Sequence, residues 1–228
     1  MRSRQPDSLT QAVYRAVRAD LLACRTRPGE KLRIAVLCDR HGASSGAVRE
    51  ALSRLTAEGL VTLEPQRGFQ AGTISADGLA DLTVARVEVE SLCLRMAIEN
   101  GDLGWEERLL GSAHRLRRTP WREPGDTARI GEAWVNAHEV FHEALVAACP
   151  NQTLLRIRSQ LYAQSERYRS LSVPLADVDR DVEAEHRGLM LAALDRDKDR
   201  AVKAIAYHIN ETTRILLRAH FNRAEMAA

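Results

Sequence analysis

Four of the seven histidines stand at spacings that chemistry could use: His138, His142, His186 and His208. His138 and His142 are four apart, so both project from one face of a helix. His186 lies 44 residues after His142, and His208 lies another 22 on. A neutral imidazole is a common ligand for zinc, nickel and related ions, and facing helices of a bundle can converge such side chains in its core. The plainer alternative is that each ring is a core or surface residue with a satisfied hydrogen bond; spacing alone leaves both open. His138-Glu-Val-Phe-His142 also fits H-E-x-x-H, in which two histidines hold zinc and the glutamate is general base. So short a motif arises by chance, and Phe141 and Leu145 mark this helix as packed in a core, so a metal-dependent hydrolase is the rival reading rather than the first. Arg86, in Ala85-Arg86-Val-Glu-Val-Glu90, offers a planar two-pronged match to a carboxylate. On the residues alone, a helix-surface ion pair with Glu90 at i+4 is the favoured reading.

The elements that must carry these side chains read as helices. Six stretches, at roughly 76–99, 104–118, 126–148, 151–171, 177–195 and 197–221, are separated by Asn100-Gly101, Trp121-Arg-Glu-Pro-Gly125, Cys149-Pro150-Asn151 and Val173-Pro174. Their short connections imply antiparallel neighbours and an all-α bundle, with no strand expected beyond residue 76. Arg167-Tyr168-Arg169 reads as a basic, solvated helix face.

A different unit precedes the bundle. Ser8 is a plausible cap for a helix whose stripe of Val13, Ala16, Val17 and Leu21 runs to about Cys24; residues 1–7 are polar, basic and expected to be mobile. Residues 31–72 then read as helix, turn, helix and β-hairpin. Leu32, Val36 and Leu37 give the first of these helices an apolar side, and Gly42 allows a tight turn. Ser44 or Ser45 can cap the second helix, in which Val48, Ala51, Leu52 and Leu55 recur at helical spacing. Gly59 ends it. Val61-Thr-Leu and Phe69-Gln-Ala are β-prone runs joined by Glu64-Pro-Gln-Arg-Gly68. This is a winged helix-turn-helix: a slim helix with serines and an arginine near its start suits a DNA major groove. Arg49 is the first choice for a base contact, since arginine can bond both major-groove acceptors of guanine. Ser44 and Ser45 suit phosphates or base edges, and Arg33 with the wing residues Gln66, Arg67 and Gly68 completes the footprint. Arg40 and Arg54 read as phosphate contacts or solvated charges.

Charge follows this division. Residues 1–73 hold 12 Lys+Arg against 7 Asp+Glu, a net +5, and the remainder holds 21 against 24, a net −3. A basic reader on a mildly acidic partner domain suits DNA binding. No stretch reaches the apolar length of a membrane span, and no charged-then-apolar leader opens the chain. The four scattered cysteines, without a C-x-x-C pair, read as reduced thiols of a cytoplasmic protein.

The wording of the first unit resembles the GntR family of bacterial transcription regulators. Val48-Arg49-Glu50-Ala51-Leu52, Ala57-Glu58-Gly59-Leu60-Val61 and Gln66-Arg67-Gly68 match its signature, and Arg27-Pro28-Gly29-Glu30-Lys31-Leu32 matches its Pro-Gly-x-x-Leu lead-in. Residues 77–220 resemble the all-helical FCD effector domain of the FadR-type subfamily. The matching pieces are Phe141-His142-Glu-Ala-Leu145, Glu185-His186, His208, and Ala193-Leu-Asp-Arg-Asp197 with Ala201. The resemblance implies that His142, His186 and His208 are metal ligands. His138 stands where the family's pattern has Asp or Asn; a fourth imidazole there would replace a carboxylate and favour nitrogen-preferring ions, zinc first and nickel second. It further implies that Arg86 grips a carboxylate effector, with Asn210 and Arg214 as weaker candidates for the same cavity. Many relatives carry arginine at the position of Ser45, so one usual base contact is missing. Glu166-Arg-Tyr-Arg-Ser-Leu-Ser172 and the His138–His142 pair resemble the branch of carbon-starvation-induced, glutarate-responsive repressors.

The resulting expectation is a mainly α protein. Residues 1–73 form a winged helix-turn-helix, and residues 74–228 form an all-α bundle that binds metal and effector and mediates dimerisation. Its function is that of a ligand-responsive repressor of a catabolic operon, not an enzyme. One helix-turn-helix covers a half-site, so a symmetric homodimer on a pseudo-palindromic operator is expected. A constitutive DNA-binding protein with a merely structural bundle is the third reading.

Overall fold

The computed structural model describes residues 8–123, 125–172 and 180–218. The expectations for residues 1–7 and for the break at Val173-Pro174 lie outside them. The chain forms two compact units. One comprises residues up to Ser75 together with Ala163–Leu171; the other comprises Ala76–Tyr162 and the chain from Ser172 on.

The first unit is built by α1 (Leu9–Leu22), α2 (Ile34–His41), α3 (Ser45–Ala57), β1 (Val61–Glu64) and β2 (Gly68–Ala71). Ser8 caps α1 by accepting from the Gln11 N–H, and Ser44 caps α3 by accepting from the Ala47 N–H. Gly42 ends α2 in the left-handed region at φ 59°. Helix α1 stops slightly earlier than its apolar stripe suggests, and Cys24 is left-handed at φ 51°. Val13, Val17 and Leu21 of α1 meet Val48, Ala51, Leu52 and Leu55 of α3 in one apolar core, which Leu37, Phe69 and Ala71 complete. Val36, expected on the inner side of α2, is exposed. The hairpin pairs Val61 with Ala71 and Leu63 with Phe69, and its turn is closed by two left-handed residues, Gln66 and Gly68.

The second unit holds α4 (Ala76–Asn100), α5 (Leu103–Arg118), α6 (Glu132–Val146), most of α7 (Gln152–Ser172), α8 (Val182–Leu194) and α9 (Lys198–Leu216). Helix α4 packs along α9, and α5 along α6. Trp105, wholly buried at the start of α5, donates its indole N–H to the Ala144 carbonyl at 2.9 Å and so pins α5 to α6. Phe141, Leu145, Leu189 and Ile205 fill the space between them.

One expectation is overturned. Residues 126–130 do not begin the third bundle helix: β3 (Arg122–Glu123) and β4 (Asp126–Ile130) form an antiparallel hairpin, and α6 starts only at Glu132. Gly125, at φ 89°, makes the reversal, and the Gly131 N–H bonds to the Trp121 carbonyl at 2.9 Å. With glycines at both ends, a β-branched pair, Thr127 and Ile130, lies better in a strand than in a helical first turn.

Candidate metal centre and DNA-reading surface

Helix α6 places His138 and His142 one turn apart on its inner face, at 4% and 0% exposure. Helix α8 brings His186 from its first turns, after Asp181 caps it through the Ala184 N–H. His208 comes from the middle of α9. One ligand atom from each of the four rings lies within 4.8 Å of all the others. Tetrahedral zinc held by nitrogen at about 2.1 Å separates its ligands by about 3.4 Å. His138 Nε2 and His142 Nε2 already stand 3.2 Å apart. The remaining ligand atoms, within 4.8 Å of one another, would have to close by up to about 1.4 Å to reach that separation.

The surroundings favour the ligand form of imidazole. Burial, and then the neighbouring His208, His186, Arg86 and Arg158, hold His142 well below the usual histidine range. Burial likewise lowers His208, although its bond to Glu185 works the other way. Both rings are therefore neutral at pH 7, with a lone pair available. His142 Nδ1 is buried and has no hydrogen-bond partner. The donor set fits a nitrogen-preferring divalent ion.

Several residues around the rings are not legible from the sequence alone. Trp134 stacks on His138 with centroids 4.8 Å apart, and Trp121 lies against Trp134 at 4.5 Å. The Tyr162 hydroxyl is hydrogen-bonded to His138 Nδ1 at 3.1 Å. Glu185 meets His208 Nδ1 at 2.8 Å. Burial pushes the Glu185 carboxyl up, but the bonds to His208 and Arg180 more than reverse this and bring it to about 2. Arg158 and Tyr162 fall four apart on one face of α7; that spacing is the available signal, hidden by the many charges on the helix.

Arg86 is 8% exposed. Its Nη2 approaches Glu90 Oε1 at 3.4 Å, while Arg158 takes the other carboxylate oxygen at 2.7 Å and donates to the His142 carbonyl at 2.9 Å. The i+4 pair with Glu90 thus exists, but it is buried rather than on the surface, and it is long. Arg86 Nε is buried with no partner, and the guanidinium lies over the Tyr162 ring at 4.9 Å. Two buried guanidiniums share one carboxylate, leaving an excess of positive charge beside the histidines. Asn210 and Arg214 are placed differently. Asn210 is exposed and donates to the Ala206 carbonyl, and Arg214 pairs with Glu211 at 2.7 Å. Positions two and six beyond His208 lie a third of a turn or more round α9 from it. Arg167 is buried, not solvated, and donates to the Gly72 carbonyl within the first unit.

On the reading unit, Arg33, Ser44, Ser45, Arg49, Gln66 and Arg67 are all exposed, and Gly68 is half-buried at the wing turn. Arg67 is paired with Glu64 at 3.3 Å across the turn. Arg54 is turned to α1: it donates to Gln11 and lies over the Tyr14 ring at 4.1 Å. Arg40 faces Asp20 at 3.6 Å.

The same division is seen against known proteins. The model of the bacterial regulatory proteins of the gntR family matches residues 9–70, and the FCD domain matches residues 81–211. The chain belongs to the GntR family. It is a DNA-binding transcription regulator, and the H-E-x-x-H pentapeptide lies in a helix of a regulator, not of a hydrolase; Glu139 sits on a more open face of α6 than the pair it separates. Among relatives, the uncharacterized HTH-type transcriptional regulator BphR of Paraburkholderia xenovorans is 38% identical, over 92% of this chain and 85% of that protein. The HTH-type transcriptional repressor GlaR of Escherichia coli is 32% identical, over 86% and 90%. The GntR-type fold is shared with E. coli McbR/YncC at a TM-score of 0.75 and 22% identity, covering 93% of this chain and 99% of that one. Among the described residues, no helix is long and apolar enough to cross a membrane.

Proposed function

We propose that this GntR regulator is a repressor whose operator binding is controlled by a small carboxylate held beside a metal ion in the helical domain. DNA recognition is assigned to residues 1–73, and sensing and dimerisation to residues 74–228. The observation that carries the sensing half is Arg86: a buried guanidinium with an unpartnered Nε, in the same unit as four clustered imidazoles. An arginine so placed favours a planar anion.

His138, His142, His186 and His208 would hold the ion, zinc first and nickel second, and a metal there supplies positive charge to the anion's other end. Arg86 orients the carboxylate; Glu90 and Arg158 hold Arg86 in place. Asn210 and Arg214, committed to partners on their own helix, take no part in this assignment. The resemblance of residues 166–172 and the histidine pair to the glutarate-responsive branch makes a five-carbon dicarboxylate the first ligand to try. Arg49 reads a base in each half-site, and Arg33, Ser44, Ser45, Gln66, Arg67 and Gly68 position the helix and wing. Two copies of the chain on a pseudo-palindrome complete the complex.

A gel shift on the protein's own promoter region, with and without glutarate and other small acids, tests the reading. Release of DNA by an acid, abolished in Arg86→Ala while DNA binding persists, is the expected outcome. DNA binding indifferent to every acid would support a constitutive binder instead. Cleavage of denatured casein in a metal-dependent manner would contradict the assignment altogether.

A further inference from the structure

We propose that Glu185 is the positioning carboxylate of the metal centre: it fixes His208 in the tautomer that aims Nε2 at the ion. This rests on the reading of the histidines as metal ligands.

Glu185 Oε2 lies 2.8 Å from His208 Nδ1. A carboxylate only accepts, and a ring nitrogen without hydrogen also only accepts. Two lone pairs facing each other at that distance would repel, so the hydrogen sits on Nδ1 and Nε2 is left bare. The bond between the Tyr162 hydroxyl and His138 Nδ1 has no such sense, because a phenol gives or accepts. Glu185 therefore decides the tautomer of His208.

It is itself held by a fork. Arg180 Nε donates to Glu185 Oε1 at 2.7 Å and Nη2 to Oε2 at 2.5 Å. The same Nη2 donates to the His208 carbonyl at 3.0 Å, and Nη1 to Thr212 Oγ1 at 3.0 Å. Arg180 thus ties the carboxylate to the backbone of the helix that carries the imidazole. Its Nη2 is 3.4 Å from His208 Nδ1, farther than the carboxylate. Glu185 also directly precedes His186, so a single turn of α8 provides one ligand and the orienting group of another. Outer-shell carboxylates of this kind raise ligand basicity and fix ring orientation.

Two experiments test the role. Long-range proton–nitrogen NMR of the metal-free protein, labelled at histidine, should show His208 protonated at Nδ1 and bare at Nε2; the opposite tautomer would overturn the proposal. This measurement needs no variant, so it stands even where a substituted chain fails to fold. In the second, zinc affinity is measured by chelator competition. Glu185→Gln, whose amide no longer enforces one tautomer and carries no charge, should weaken binding by about 10–100-fold, with partial recovery in Glu185→Asp. Unchanged zinc affinity in Glu185→Gln would overturn it too. A wild-type chain that binds no zinc is a separate result, which removes the metal reading and this role with it.

Discussion

The segment of this regulator up to Ser75 and its helical bundle keep their polar residues in opposite places. Among the described residues of the reading unit up to Ser75, no polar or charged side chain is buried; its core is Val, Leu, Ala and Phe, and its arginines and serines lie outside. The helical unit buries Arg86, Glu90, Arg158 and four histidines inside the bundle. DNA is large and must be met on a surface, so the reader devotes its interior to stability alone. A small anion, as proposed for the bundle, would have to be surrounded, and the bundle accepts charged groups in its core, offset by neighbours of opposite charge or by hydrogen bonds. What differs between the units is where desolvation is tolerated, and substitutions can test that.

The largest effect is expected from the histidines. His142→Ala or His208→Ala should reduce the retained metal from about one ion per chain to none, as expected when a closed site loses a ligand, while operator binding without effector persists. Metal analysis showing a full ion in either variant would break the contrast. Next come the cores. Phe141→Ala should cost about 3–5 kcal/mol and Leu52→Ala about 2–5 kcal/mol in chemical denaturation, as for large buried side chains cut back to a cavity. Only the first should reduce metal retention and only the second should reduce operator affinity. A Leu52→Ala protein with full operator affinity would show that the reader does not depend on its dry core.

Much of this contrast is legible in the sequence. Val48, Ala51, Leu52 and Leu55, picked out by their period, are all wholly buried, because an amphipathic helix on a small apolar core follows its pattern closely. The histidines are legible too, by spacing and by resemblance. The hairpin at Arg122–Ile130 is not, since a five-residue strand carries little periodicity, and its glycines flag a turn without distinguishing a strand from a helix beyond it. Nor is the burial of Arg158 and Arg86, which depends on Glu90 and Tyr162, residues that the fold alone brings together. Asn210 and Arg214 are suggested by nearness in sequence to His208, and helical rotation carries them elsewhere.

Smaller effects refine the comparison. Arg49→Ala should cost about 1–3 kcal/mol and relax preference at one base of each half-site, read by binding to operators varied at that step; an unaltered preference would reduce Arg49 to a phosphate contact. Acid should separate the units most gently. His142 and His208 are lowered in the folded chain, so the unfolded chain takes up protons first as the pH drops. Their contribution is complete above about pH 6.5, the unfolded histidine value, and is lost below it at up to about 1.4 kcal/mol per pH unit for each ring. Denaturation of the metal-free protein at pH 7.5 and 5.5 should show that loss, and replacing both histidines should flatten it.

The stack of Trp121, Trp134 and His138 gives the protein an optical readout of its own. An indole stacked on one of the four clustered imidazoles is well placed for its emission to be quenched if an open-shell cation such as nickel binds there, whereas closed-shell zinc should leave it bright. Titrating either ion into the unlabelled chain would then distinguish them by intensity alone, and Trp134→Phe should remove most of the signal.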